Sequence, residues 1–294
     1  MLQRTDAPSL VTPEHVRAVV AAALAEDAPW GDITSEYLIP ATATATARLN
    51  AREPGVLAGA AAFTEAFLQT APASEVTWLL QDGDRFEAGQ DLAIVTGPAR
   101  AVLRAERIGL NLLQRLSGVA TLTAQYVEAV AGTKARIVDT RKTTPGLRQL
   151  EKHAVRCGGG YNHRFTLSDA VMAKDNHLAI LTADGTDLHG AIRDLRARLP
   201  HTVHLEVEVD HIDQIEPVVS AGVDTIMLDN FTPDQLVEGV AIVAGRAVVE
   251  ASGGVNLDTV AAIAATGVDV ISVGALTHSA RALDLGLDVQ IQHD

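Results

Sequence analysis

The second half of this 294-residue chain follows one rhythm, and that rhythm limits the possible folds more than any composition figure does. Short apolar runs at 136–139, 170–173, 203–209, 225–228, 247–250 and 268–273 alternate with segments of helical character. Four of them end near Glu208, Asp229, Ser252 and Gly274, at spacings of 21, 23 and 22 residues, about one β–α unit each. Such alternation predicts parallel strands joined by helical crossovers. Polar residues and glycines collect where each run stops, and α/β barrels place their chemistry at the C-terminal ends of strands. Only six or seven strands fit between about 120 and 280, so the expected form is an incomplete α/β barrel. Periodicity leaves a doubly wound open sheet as the alternative.

The first half reads differently. Thr12 suits an N-cap, Pro13 the first helical position and Glu14 the positive end of the helix dipole, so a helix is expected to about Ala25. A polar loop should follow over 26–34. Residues 41–50, ATATATARLN, alternate as a half-exposed strand does. A short strand at 55–59, a helix over 60–70 and two strands around Asp82-Gly83-Asp84 complete a small sheet-plus-helix domain. Leu103, Ile108, Leu112, Leu116 and Val119 then recur at helical spacing in a long helix over about 99–130.

Apolar residues make up 47% of the chain and charged residues 20%, enough to bury a core and to exclude wholesale disorder. A net charge of −14 removes a global basic footprint for nucleic acid, and 3% aromatics argue against a base-stacking platform. The opening segment carries Asp6 and Pro8 where an export signal needs an apolar core, and the run 18–25 is too short to span a bilayer. A single cysteine, Cys157, points to a reducing compartment. The expectation is a soluble, cytoplasmic protein with no membrane or nucleic-acid partner.

Charge is nonetheless uneven. Residues 134–177 hold nine Lys or Arg and four Asp or Glu, a local +5 that leaves −19 elsewhere, which suits a small anionic substrate. Arg148, Lys152 and Arg156, at four-residue spacing, read as a solvated helix face. Arg141 and Lys142 differ: they follow a strand directly and precede Thr143-Thr144-Pro145-Gly146, the makings of an anion-binding loop. An ordinary exposed loop is the alternative. After Gly158-Gly159-Gly160 come His163 and Arg164, and Lys174 ends the next strand, a candidate second anion site.

Strand alternation puts Glu206, Glu208 and Asp210 on one face. With Asp229 at the next strand end, Glu208 could bind ribose hydroxyls or hold Mg²⁺ together with substrate phosphates, or simply pair with cations across the barrel. Ser252, Gly253, Gly254 and Gly274 suit a phosphate cradle of backbone N–H groups. His201, His204 and His211 match no ligand pattern and read as surface or strand-edge histidines. Cys157 reads as a small filler beside the glycines.

Assembled in order, these segments resemble the quinolinate phosphoribosyltransferases, also called carboxylating nicotinate-nucleotide pyrophosphorylases. The resemblance runs over nearly the whole chain. It includes Glu26, Gly31-Asp32 and Thr34; Glu106-Arg107; Leu113 to Thr121; Thr140 to Gly146; and Asn162-His163-Arg164. It continues through Lys174-Asp175-Asn176-His177, Glu206 to Glu208, Met227 to Asn230, Ala251 to Gly254 and Ser272 to Ser279. Departures are small: Val119 stands where isoleucine is common, and Val171-Met172-Ala173 replaces a more aliphatic stretch.

The resemblance implies conversion of quinolinate and phosphoribosyl pyrophosphate to nicotinate mononucleotide, pyrophosphate and CO₂. It implies a small N-terminal α/β sandwich domain over 1–118, with a C-terminal return at 280–294, and an incomplete six- or seven-stranded α/β barrel over 119–279. It further implies Mg²⁺ and a homodimer with shared active sites. Arg107, Arg141, His163 and Arg164 would hold quinolinate, and Lys142 and Lys174 would lie between it and the pyrophosphate. Glu208 and Asp229 would serve the ribose and Mg²⁺; Ser252, Gly253, Gly254 and Gly274 the phosphate, with His278 nearby. Lys142, Lys174, Glu208 and Asp229 form the expected catalytic group. Two rival readings are a paralogous phosphoribosyltransferase for another aromatic acid and a silent phosphate-binding barrel.

Overall fold

Residues 11–292 are described by a computed structural model of the chain. The sequence reading of the opening segment, with Asp6 and Pro8, lies outside the described residues. In chain order the early elements are α1 (Pro13–Asp27), α2 (Ile33–Leu38), β1 (Thr44–Ala51), β2 (Gly55–Val56), α3 (Ala60–Thr70), β3 (Glu75–Trp78), β4 (Arg85–Phe86), β5 (Asp91–Pro98) and α4 (Ala99–Ala129). Then come β6 (Arg136–Val138), α5 (Arg148–Cys157), β7 (Val171–Ala173), α6 (Asp175–Leu181), α7 (Leu188–Arg198), β8 (Leu205–Val209), α8 (Ile215–Ser220) and β9 (Thr225–Asp229). The last are α9 (Pro233–Val243), β10 (Val248–Ser252), α10 (Val260–Ala265), β11 (Val270–Ser272), α11 (Ala275–His278) and β12 (Leu285–Gln292).

The chain divides into two compact units. The first takes the chain up to Ala124, the segment Thr143–Gly159 and the stretch from Leu276 onward; the second takes Gln125–Lys142 and Gly160–Ala275.

In the first unit a four-stranded antiparallel sheet runs in the order β12-β1-β5-β3. The alternating burial of β1 follows its ATATAT pattern, with Ala45, Ala47, Leu49 and Ala51 buried. The C-terminal strand β12 pairs along all of β1, from Thr44 opposite Gln292 to Ala51 opposite Leu285. Helix α3 supplies Phe63 and Phe67, whose rings stand 4.8 Å apart, and Trp78 meets Phe63 edge-on at 5.5 Å. The Asp82-Gly83-Asp84 turn does not join a hairpin: β3 pairs with β5, and β4 with β2. Residues 33–38, partly assigned to a loop from sequence, form the short helix α2, because Asp32 caps it through the Ser35 amide at 3.1 Å.

Two features of this unit explain the Leu-Ser-Gly motif of α4. A Cβ on Gly118 would lie 1.9 Å from the carbonyl oxygen of Arg281, so only glycine lets the C-terminal stretch lie against the helix. One turn earlier, Arg115 donates to the carboxylate of Glu151, at 2.9 Å from Nη2, and to the Ala280 carbonyl at 2.6 Å. Glu151 is fully buried and also accepts from the Thr144 amide and hydroxyl at 3.0 and 2.8 Å. Helix α5 is therefore not the solvated basic face expected from Arg148, Lys152 and Arg156: Lys152 beside Glu151 is fully buried.

The second unit holds six parallel strands in the order β6-β11-β10-β9-β8-β7. From β7 to β11 each strand neighbours the next in sequence, and β11 then pairs with β6, the first strand of the series. A doubly wound sheet reverses its order at a switch point; this one never does. Bringing first and last strands together is the order of a barrel, here interrupted between β6 and β7, where Tyr161 makes a single parallel bridge to Val138. The fold is the incomplete six-stranded form anticipated from the spacing. Leu205, Val207, Ile226, Leu228, Val249, Ala251 and Ile271 fill its core. Among the described residues no helix is long and apolar enough to cross a membrane.

Candidate active site

Every strand of the second unit delivers its C-terminal end to one cleft of about 450 Å³. Thr140, Arg141 and Lys142 arrive just after β6, Lys174 just after β7, Glu208 near the end of β8, and Asp229, Ser252 and Ser272 as the last residues of β9, β10 and β11. His163 and Arg164 line it from the segment between β6 and β7, with Glu250, Met172 and Met227 completing the wall. The cleft thus lies at the C-terminal face of the sheet, where barrels of this kind work.

The loop carrying His163 is fixed by a buried carboxylate. Asp139, fully buried at the end of β6, accepts from the His163 amide at 2.9 Å and from the Asn162 side-chain amide at 2.6 Å. The imidazole is set in turn: Nδ1 accepts from the Arg164 amide at 2.8 Å, while Nε2 lies 3.0 Å from Glu206 and 3.7 Å from Glu250. Glu206 sits on β8 and Glu250 on β10, two strands apart, so their meeting at one imidazole requires the sheet to curve around it.

Both carboxylates are buried, and one oxygen of each has no hydrogen-bond partner. Burial, then the charge of Glu206, pushes the Glu250 carboxyl up to about 7. Arg164 donates to the Ala170 carbonyl at 2.8 Å and touches the Met172 sulfur at 3.6 Å. Burial and the neighbouring Arg141 charge lower its pKa, the mark of two guanidiniums facing one space.

The Lys174 ammonium is bonded to the Glu208 carboxylate. Asp229 accepts from the Asn230 side-chain amide at 2.6 Å, and Asn230 adopts a left-handed φ of 59°. Gly253 packs on that residue: a Cβ there would lie 2.2 Å from the Asn230 amide oxygen. Gly254, with φ of 62°, has open space where a side chain would stand. The arrangement brings four cationic side chains, from Arg141, Lys142, Arg164 and Lys174, into one cleft with the carboxylates of Glu208 and Asp229. Such a site can bind a polyanion and stabilise a cation developing beside it.

Eight of the thirteen residues anticipated from sequence line this cleft: Arg141, Lys142, His163, Arg164, Lys174, Glu208, Asp229 and Ser252. Gly253 and Gly254 follow Ser252 directly. Strand β11 lends Ser272 rather than Gly274, which stands two residues further on. Arg107 is exposed on α4, and His278 is exposed at the end of α11, both in the first unit. Of the run Glu206, Glu208 and Asp210, the first is buried against His163, the second faces Lys174, and Asp210 is exposed past the end of β8.

Sequence reasoning missed Glu250 and Asp139. A carboxylate inside the apolar run Val-Val-Glu-Ala was the available signal for the first, since a buried acid demands a partner.

The two halves of the chain match two family models: the N-terminal domain of quinolinate phosphoribosyl transferase over residues 32–117, and its C-terminal domain over 119–288. The chain belongs to the quinolinate phosphoribosyltransferase family. It is 42% identical over 269 residues to a probable carboxylating nicotinate-nucleotide pyrophosphorylase of Bacillus subtilis, covering 92% of this chain and 91% of the relative. It is 43% identical over 284 residues to the carboxylating nicotinate-nucleotide pyrophosphorylase of Mycobacterium leprae, covering 94% and 98%. The crystal structure of NadC from Streptococcus pyogenes superposes with a TM-score of 0.92 at 39% identity, over 97% of this chain and all of the other.

Proposed function

We propose that the chain transfers the phosphoribosyl group of phosphoribosyl pyrophosphate to quinolinate with loss of CO₂, giving nicotinate mononucleotide and pyrophosphate in NAD biosynthesis. The observation that carries this reading is the convergence of Arg141, Lys142, Arg164 and Lys174 on one cleft that Glu208 and Asp229 also line. Quinolinate brings two carboxylates and the second substrate a pyrophosphate, so a single cation would be insufficient. Arg141 and Arg164 bind quinolinate, since a guanidinium suits a carboxylate through its planar fork, and His163, its ring nitrogens engaged by the Arg164 amide and Glu206, lines the cleft beside them. Lys142 and Lys174 lie between the two substrates, and Ser252 with the backbone of Gly253, Gly254 and Gly274 receives phosphate.

The chemistry asks for placement more than covalent help. As pyrophosphate departs, C1 of the ribose becomes cationic, and Glu208 and Asp229 stabilise it. The pyridine nitrogen attacks that carbon, which makes the ring a pyridinium. The C2 carboxylate then leaves as CO₂; the electron pair stays on C2, stabilised by the positive nitrogen beside it, until a proton from solvent takes the place of the carboxylate. Glu208 and Asp229 are hard oxygen donors beside the expected pyrophosphate, and they fit Mg²⁺ shared with substrate phosphates. When bound, Mg²⁺ neutralises charge on the departing pyrophosphate.

A homodimer with shared sites is part of the reading. Trp30, Ile33, Tyr37 and Leu38 are 91%, 67%, 85% and 74% exposed within nine residues, an apolar patch that supports contact with a second copy. Cytoplasmic residence fits a chain with one cysteine.

The test is direct: purified protein, quinolinate, phosphoribosyl pyrophosphate and Mg²⁺ should release CO₂ and nicotinate mononucleotide in equal amounts. Turnover of another aromatic acid without CO₂, or none of either, would replace this reading with one of its rivals. In the same assay Asp229→Asn should lower kcat by ~10²-fold or more while leaving quinolinate affinity nearly intact.

A further inference from the structure

Cys157, a bland small residue in the sequence reading, has company in the first unit. His153 and Cys157 stand four residues apart on one face of α5, and the turn between β3 and β4 brings Asp82 to the same point. The His153 Nε2 lies 2.8 Å from Asp82 Oδ2 and 3.4 Å from Cys157 Sγ. All three donor atoms fall within 4.8 Å of one another. We propose that Asp82, His153 and Cys157 form a site for one divalent cation of borderline softness, of the Zn²⁺ class, with water completing a tetrahedron.

Three observations support this assignment over a nucleophilic triad. In a triad the carboxylate holds one ring nitrogen and the nucleophile faces the other. Here both partners address the same nitrogen, so a single proton on Nε2 cannot serve carboxylate and thiol together. A cation at their meeting point serves all three. Donor separations in a tetrahedral site with ordinary Zn–N, Zn–O and Zn–S bonds are roughly 3.2–3.8 Å, so the N···S pair at 3.4 Å already fits and the N···O pair at 2.8 Å must open by about half an ångström.

The carboxylate is also held in advance: Asp82 Oδ1 accepts from the Ala60 amide at 3.1 Å, leaving Oδ2 for the site. The donor set is the third observation. Thiol and imidazole favour Zn²⁺ and disfavour Mg²⁺, so this site does not compete with Glu208 and Asp229 for the same ion. Binding exchanges the Cys157 thiol proton for the ion and releases that proton to solvent. The bound ion would clamp the last turn of α5 to the β3–β4 turn.

Cys157 is the chain's one cysteine, so any thiolate-to-metal absorption reports this site alone. Titrating the full, metal-free chain with Co²⁺ should give a thiolate charge-transfer band saturating at one equivalent, and Zn²⁺ should bleach it. Zn²⁺ should also protect Cys157 from alkylation. Both effects should vanish in Cys157→Ser, and Zn²⁺ affinity should fall at least ~100-fold in His153→Gln, beyond the loss caused by removing an outer partner of a ligand. Should either variant fail to fold, the wild-type titration decides alone. A Co²⁺ spectrum without a thiolate band, or alkylation unchanged at saturating Zn²⁺, overturns the proposal.

Discussion

Arg164 shows how a single side chain can be fixed by its fold and still line a cleft. Its Nη1 is spent on the Ala170 carbonyl and Nη2 touches the Met172 sulfur, so β7 holds the guanidinium at the cleft wall. Arg164→Lys keeps the charge and loses the fork. The expected loss in quinolinate affinity is about 1.5–3 kcal/mol, the worth of a hydrogen bond to a charged group, with the fold retained. Calorimetric titration of quinolinate checks it; equal affinity in both proteins would remove Arg164 from the site. Glu250 offers a second test. Its carboxyl is pushed up to about 7 by burial and by Glu206, so the folded state holds that proton more tightly than the unfolded chain does. That contribution to stability is full below the ordinary carboxylate range and disappears as pH rises through about 7. Glu250→Gln is neutral throughout. Between about pH 5 and about pH 8 the wild type should therefore lose on the order of 1–3 kcal/mol more stability than the variant. Denaturant melts at both values measure it, and parallel pH dependence in the two proteins would deny the carboxyl its raised pKa.

Helix α5 is where element-scale reasoning from sequence and the structure part company. Four-residue spacing of Arg148, Lys152 and Arg156 looks like a solvated stripe, because spacing reports which residues share a face and not what covers it. Glu151 is what that reading lacked. It is fully buried and bonded to Arg115 and Thr144, which are 36 and seven residues away in the chain. Glu151→Ala would leave the Arg115 guanidinium facing an uncompensated gap, and a loss of about 3 kcal/mol or more is expected from breaking a buried pair by one partner. A urea melt of the folded protein reads this out, and a change within ~0.5 kcal/mol would show the pair to be dispensable. The strands were the legible part. Each of the six short apolar runs became a strand, because parallel strands buried on both faces write themselves as unbroken hydrophobic stretches. The cations at their ends were legible too, since Arg141, Lys142 and Lys174 interrupt that pattern. Asp139, Glu250 and the Asp82–His153–Cys157 cluster were not, because each depends on a partner distant in sequence that no local period can reveal.

At the scale of the whole molecule, the cleft and the Glu-Arg motif belong to different compact units. Arg107 is exposed on α4 in the first unit, while every residue lining the cleft comes from the second. If a second copy supplies Arg107, a twofold dimer builds two identical sites from two chains. That arrangement makes a prediction no single-chain site can imitate. Arg107→Ala and Asp229→Asn each impair both sites of their own homodimer. In a mixed dimer one site collects both defects and the other has neither. Random exchange of equal amounts should therefore restore about a quarter of wild-type activity, since half the dimers are mixed and each has one intact site of two. Differently tagged chains, purified sequentially on both tags, isolate the mixed species for assay. Mixed dimers proven by both tags but lacking activity would return Arg107 to the site of its own chain, or remove it from the site altogether.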